Sequence, residues 1–129
     1  MFSSCQIHCK KRRDISFLSV PNAAQGCAKC GARLQCHAPI VLVNAKDVSG
    51  EPLVKGRQVT GFTNGEEEAV GLTHVVPHLV EDALQKCGGI YSKADIFTPY
   101  VCEDGQLITG QNPPSSVPTA EALMAWFTC

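Results

Sequence analysis

Cys36 and His37 stand side by side in LQCHAPIVLVNAK, and three carboxylates, Glu66, Glu67 and Glu68, follow in GFTNGEEEAVG. A cysteine attacks as thiolate, so it needs a lowered pKa or a neighbouring base. An imidazole is such a base when a carboxylate orients its ring. The three residue types together suit a cysteine-dependent hydrolase-like or lyase-like site. Each also has a plainer reading. Cys36 fits a small buried hydrophobe, and His37 fits a structural hydrogen bond. Acidic residues opening a helix complement its dipole without any further role. Composition alone leaves these alternatives open.

For the chemistry to work, Cys36 must lie at a sharp strand-to-helix turn. There, backbone N–H groups and the helix field stabilise a thiolate and a developing oxyanion. Ile40 to Val43 form a short buried helix or strand, which periodicity does not separate. Asp47 to Lys55 reads as a loop around Gly50 and Pro52, and Arg57 to Phe62 as a short strand. Pro77 suits the first turn of a helix. Val80, Ala83, Leu84 and Cys87 then recur at helical spacing, and Gly88-Gly89 closes the run. Tyr100–Cys102 and Gln106–Thr109 flank Glu103-Asp104-Gly105, which predicts a hairpin. Pro118 and Thr119 precede a closing helix whose stripe of Ala120, Leu123, Met124 and Phe127 is core packing. Alternating strands and helices predict an α/β layer architecture.

Residues 1–35 have a different texture. Ile15 to Val20 reads as a short strand ended by Pro21-Asn22, and Lys29 to Gln35 is a poor candidate for the apolar strand that should enter the turn. Cys5, Cys9, Cys27 and Cys30, with His8 as a substitute, have the donors for a zinc site. A redox role for the Cys27/Cys30 pair lacks a surrounding βαβ pattern. Scattered reduced thiols are the preferred reading, so neither a metal nor a cofactor is assigned. The 129 residues, 44% of them hydrophobic, predict one domain with a modest core. A net charge of −1 provides no field to recruit nucleic acid or membrane. Lys10-Lys11-Arg12-Arg13 reads as a solvated tail. No apolar run approaches the roughly 20 residues of a membrane span, and the polar opening does not read as a signal peptide. With eight cysteines read as reduced thiols, a cytoplasmic location is expected.

The motifs CHAPIVLVNAK, GRQVTGFTNGEEEAVGL and DGQLITGQNPPSS resemble, in this order, the DJ-1/PfpI superfamily and within it the Hsp31-like class of glutathione-independent glyoxalases. The resemblance implies a flavodoxin-like α/β sandwich of the class I glutamine-amidotransferase-like type, with the cysteine at a nucleophile elbow. It divides the chain into a divergent leader, 1–35, and the carboxyl-terminal part of such a domain, 36–129, so the sandwich is expected to be incomplete. It implies Cys36 as nucleophile, His37 as its partner and Glu67 as the orienting acid, with Glu66 the near competitor. Gly110-Gln111-Asn112-Pro113 matches a loop near the family pocket. Ala38 stands where the family usually has glycine, and it would strain or narrow a position requiring positive φ or close approach. The activity implied is conversion of methylglyoxal to lactate, a glyoxalase III-type lyase reaction requiring no glutathione, metal or organic cofactor. The alternative is a noncatalytic fragment serving as a protein-interaction, chaperone or stress-response partner. It would associate with a second copy or a full-length relative, because a half-sheet leaves edges and faces to cover.

Overall fold

The computed structural model describes residues 31–128, and the candidate strand and thiol cluster at residues 5–30 lie outside them. The fold is α/β, with a mixed sheet and flanking helices. Three strands, β1 (Ala32–Gln35), β4 (Val101–Asp104) and β5 (Leu107–Gly110), form one sheet in the order β1-β5-β4. β1 runs parallel to β5, with Leu34 opposite Thr109, and β5 runs antiparallel to β4. The predicted hairpin is β4–β5, turning at Gly105-Gln106 with Gly105 at φ 58°. A second, two-stranded parallel sheet joins β2 (Gln58–Val59) to β3 (Ile90–Tyr91).

β1 is a polar strand that sequence patterning undervalues. Leu34 is its buried residue and joins Leu42, Leu53, Val54, Val59, Val80, Leu84 and Leu107 in the core. Its neighbours are held by polar side chains instead. Arg33 donates to the Gln106 carbonyl at 3.1 Å and lies 4.6 Å from the Trp126 ring centroid. Gln35 donates to the Asn112 carbonyl at 2.8 Å and to Ser116 Oγ at 2.7 Å.

β2 is shorter than the strand expected over 57–62, because the chain leaves the ladder to reach Cys36. The Thr60 N–H donates to Thr109 Oγ1 at 3.0 Å, and the Phe62 N–H donates to the Cys36 carbonyl at 2.8 Å. The Gln58 N–H donates to Asp104 Oδ2 at 2.9 Å, so side chains of β4 and β5 stitch the second sheet to the first. Helix α1 (Asn64–Ala69) starts at a capping box in which Thr63 Oγ1 accepts from the Glu66 N–H and the Glu66 carboxylate accepts from the Thr63 N–H. Helix α2 spans Val80–Lys86, so Pro77 lies before it rather than in its first turn. Gly88, at φ 84°, follows its Cys87 cap in the left-handed conformation that ends many helices. Helix α3 (Ser116–Thr128) begins earlier than Pro118, directly after a short 3-10 turn, Pro113–Ser115.

Ile40 to Val43 fall in a 3-10 helix, Ala38–Asn44. Ala38 is its first residue and is absent from the positive-φ positions, so alanine is unstrained there. The positive φ that would have strained an alanine belongs to Cys36 instead. Ala38→Gly should therefore lower stability by about 0.5–1 kcal/mol through added backbone freedom in the unfolded chain. A lowered urea midpoint would show this, whereas a raised midpoint would contradict it.

Candidate functional site

Cys36 occupies the turn between β1 and the 3-10 helix with φ 58°, a left-handed conformation rare for a residue with a side chain. Such a conformation costs on the order of 1–3 kcal/mol and persists where the surroundings over-determine it. Both backbone polar groups of Cys36 are held. Its N–H donates to the Gly110 carbonyl at 3.0 Å, and its carbonyl accepts from the Phe62 N–H at 2.8 Å. This commits the Cys36 N–H to the sheet, so it is not a free oxyanion donor. Gly61 makes the close approach feasible, since a Cβ there would sit 2.7 Å from Val80 Cγ1 and 3.4 Å from the Cys36 carbonyl oxygen. Gly61→Ala is expected to destabilise the fold by about 1–3 kcal/mol through overpacking. An unchanged urea unfolding midpoint would show that the site has slack.

The structure brings the three expected site residues together. Cys36 Sγ lies 3.4 Å from His37 Nδ1, and His37 Nε2 lies 2.7 Å from Glu67 Oε2. A carboxylate only accepts, so the proton in the second contact sits on Nε2, and in the neutral imidazole this leaves the Nδ1 lone pair toward sulfur. Phe62 supports the imidazole from one side, its ring centroid 4.4 Å away. Glu67 is 1% exposed, whereas the His37 side chain is 44% exposed. The acid is thus a fixed anchor and the imidazole the accessible member.

The thiol is not acidified. Burial pushes the Cys36 pKa up to about 11. The His37 backbone N–H pulls it down, while the charges of Glu66 and Glu67 push it further up. The expected thiolate stabilisation by N–H groups and helix field is outweighed here, and Cys36 rests as a thiol near neutral pH. His37 Nδ1, 3.4 Å from the sulfur, is the nearest base among the described residues.

Glu66 and Glu67, adjacent in sequence, point in different directions. Glu66 is fully buried and its carboxylate accepts from Thr63, Phe97, Gln111 and Asn112 rather than from His37. Burial alone would raise its pKa, but hydrogen bonds from Thr63, Asn112, Phe97 and Gln111 leave it lowered. Gln111 and Asn112 therefore serve the carboxylate beside the site. Sequence reasoning missed Phe97, which has φ 57° and packs edge-on to Phe62 with centroids 6.5 Å apart. Nothing in its sequence context signals that conformation. Among the described residues, no group of three or more His, Cys, Asp or Glu could hold a metal ion, and no helix is long and apolar enough to cross a membrane. The Cys5, Cys9, Cys27 and Cys30 set with His8 lies outside those residues.

No family model matches the chain. Individual proteins do. It is 35% identical over 100 residues to Glyoxalase 3 of Candida albicans, covering 73% of this chain and 42% of that protein. It is 32% identical over 118 residues to the probable glutathione-independent glyoxalase hsp3104 of Schizosaccharomyces pombe, covering 84% and 53%. The crystal structure of the Francisella tularensis Rapid Encystment Protein 24 kDa superposes with a TM-score of 0.73 at 40% identity, covering 76% and 44%. Over most of its length the chain is, at moderate identity, a glyoxalase/Hsp31-like protein of the DJ-1/PfpI superfamily. The α/β fold with its mixed sheet is that expected of the flavodoxin-like sandwich. The chain spans about half the length of the curated relatives it matches.

Proposed function

We propose that this glyoxalase/Hsp31-like chain carries the Cys36 half-site of a glutathione-independent glyoxalase acting on small α-oxoaldehydes such as methylglyoxal. The observation that carries this reading is the continuous line from Cys36 Sγ through both His37 ring nitrogens to Glu67 Oε2. It is supported by the names of the relatives, Glyoxalase 3 among them. In this reading the carboxyl-terminal part of a larger sandwich, expected over 36–129, already includes β1 from Ala32, which pairs with β5, and the leader expected over 1–35 is confined to the residues before it.

The chemistry is an internal redox reaction that balances without an external oxidant or reductant. His37 Nδ1 accepts the Cys36 proton as sulfur bonds to the aldehyde carbon, giving a hemithioacetal. The hydrogen on that carbon leaves as a proton, and a proton is delivered to the neighbouring carbonyl carbon, which is thereby reduced while the first carbon is oxidised. The product is a 2-hydroxy thioester on Cys36. Water adds to its carbonyl, the C–S bond breaks, and lactate leaves as the thiol regains its proton. His37 shuttles protons in each step, and Glu67 holds its tautomer. The test is lactate formation from methylglyoxal by the chain in glutathione-free buffer, compared with Cys36→Ser. Lactate formed equally by both would remove Cys36 from the reaction.

A further inference from the structure

Glu66 is a carboxylate with no partner among the three site residues, yet it is one of the most heavily hydrogen-bonded side chains described. Oε2 accepts from the Thr63 N–H and Oγ1, each at 3.0 Å. Oε1 accepts from the Phe97 N–H at 2.8 Å, Gln111 Nε2 at 3.1 Å and Asn112 Nδ2 at 2.7 Å. These donors come from the start of α1, from the loop holding left-handed Phe97, and from the turn between β5 and α3. Asn112 also donates to the Thr98 carbonyl at 2.7 Å, and its Oδ1 accepts from Ser115 Oγ at 2.6 Å, so the turn is cross-braced on both sides. An ordinary helix cap needs only the Thr63 contacts. The three on Oε1 are additional, and they join segments far apart in sequence at the residue immediately before Glu67.

We propose that Glu66 is a positioning residue for the Cys36 site, registering the first turn of α1 against the Phe97 and Asn112 loops so that Glu67 meets His37 in the productive orientation. The proposal rests on the reading of Cys36, His37 and Glu67 given above. Successive residues on a helix point about 100° apart. Glu67 can therefore face His37 only while Glu66 is turned toward the loops. Loss of the loop contacts frees the first turn of α1 to rotate, and a misplacement of about 1 Å can cost on the order of 10²-fold in rate. Glu66 also contributes charge. The charged and titratable groups acting on the Cys36 thiol are His37 from its own turn and Glu66 and Glu67 from α1.

Two substitutions in the full chain separate these effects. Glu66→Gln removes the charge and turns an amide NH₂ toward one of the two donor sets. Glu66→Asp keeps the charge but is too short to span both sets. Both should lower kcat for methylglyoxal by about 10–100-fold with KM within a few-fold. The pH midpoint of Cys36 alkylation by iodoacetamide, read at the Cys36 peptide by mass spectrometry, should fall in Glu66→Gln and stay at the wild-type value in Glu66→Asp. The kcat loss in Glu66→Asp at an unmoved midpoint reads positioning, and the midpoint shift in Glu66→Gln reads the charge. Wild-type kcat in either variant, or alkylation midpoints that move alike, would overturn the proposal. If Glu66→Gln does not fold, a wild-type kcat in Glu66→Asp still overturns it, and a loss of kcat with an unmoved midpoint sustains it. Turnover surviving Cys36→Ser would instead overturn the reading of the site and leave the alkylation comparison standing.

Discussion

Cys36→Ser should reduce methylglyoxal turnover by roughly 10⁴-fold or more while leaving the fold in place. The substitution is nearly isosteric and keeps a side chain at the left-handed position, so β1, the 3-10 helix and both backbone contacts of Cys36 are retained. What is lost is the sulfur nucleophile. His37 Nδ1 stands close enough to take a proton from either atom, but a serine hydroxyl is far harder to deprotonate than a thiol, even one raised to about 11. Matching circular dichroism spectra and urea midpoints would confirm an intact fold. The rate of methylglyoxal loss then reads the chemistry, and a variant within tenfold of wild type would contradict the assignment of Cys36.

Glu67→Leu should lower kcat by about 10²–10⁴-fold, at a stability cost of only about 1–3 kcal/mol. Glu67 is almost fully buried, and its Oε1 finds no donor among the described residues. Removing one partner of a buried hydrogen bond leaves the other, His37 Nε2, without its acceptor, and the relieved desolvation of the carboxylate offsets only part of that cost. Without the carboxylate, nothing described selects the tautomer that leaves Nδ1 bare toward sulfur. The loss of activity should therefore far exceed what the loss of stability explains. Equal kcat in the variant would show that His37 needs no orienting acid, and a fall in stability of several kcal/mol would show that Glu67 is chiefly structural.

The parts of this molecule that were legible in the sequence share a local cause. The Cys36-His37 pair is contiguous, and the acidic run Glu66 to Glu68 that opens α1 lies within one turn. The β4–β5 hairpin is signalled by a glycine between two apolar runs. Other features depend on contacts distant in sequence. β1 looked like a poor strand because Arg33 and Gln35 serve as anchors for Gln106, Asn112 and Ser116, roles that hydrophobic patterning does not register. β2 is short because Thr60 and Phe62 give their N–H groups to Thr109 and Cys36. The choice between Glu66 and Glu67 cannot be made from adjacency, since it depends on which face of α1 meets His37 and which meets the loops. The left-handed backbone at Cys36 and Phe97 likewise follows from tertiary hydrogen bonds, and at Cys36 it explains why Ala38 carries no backbone strain.

The most direct test of the central claim is appearance of lactate when the purified 129-residue chain meets methylglyoxal without glutathione, with Cys36 peptides analysed in the same samples. Lactate should form in proportion to protein and be blocked in step with iodoacetamide labelling of Cys36. Lactate formation that continues undiminished when Cys36 is fully labelled would contradict it.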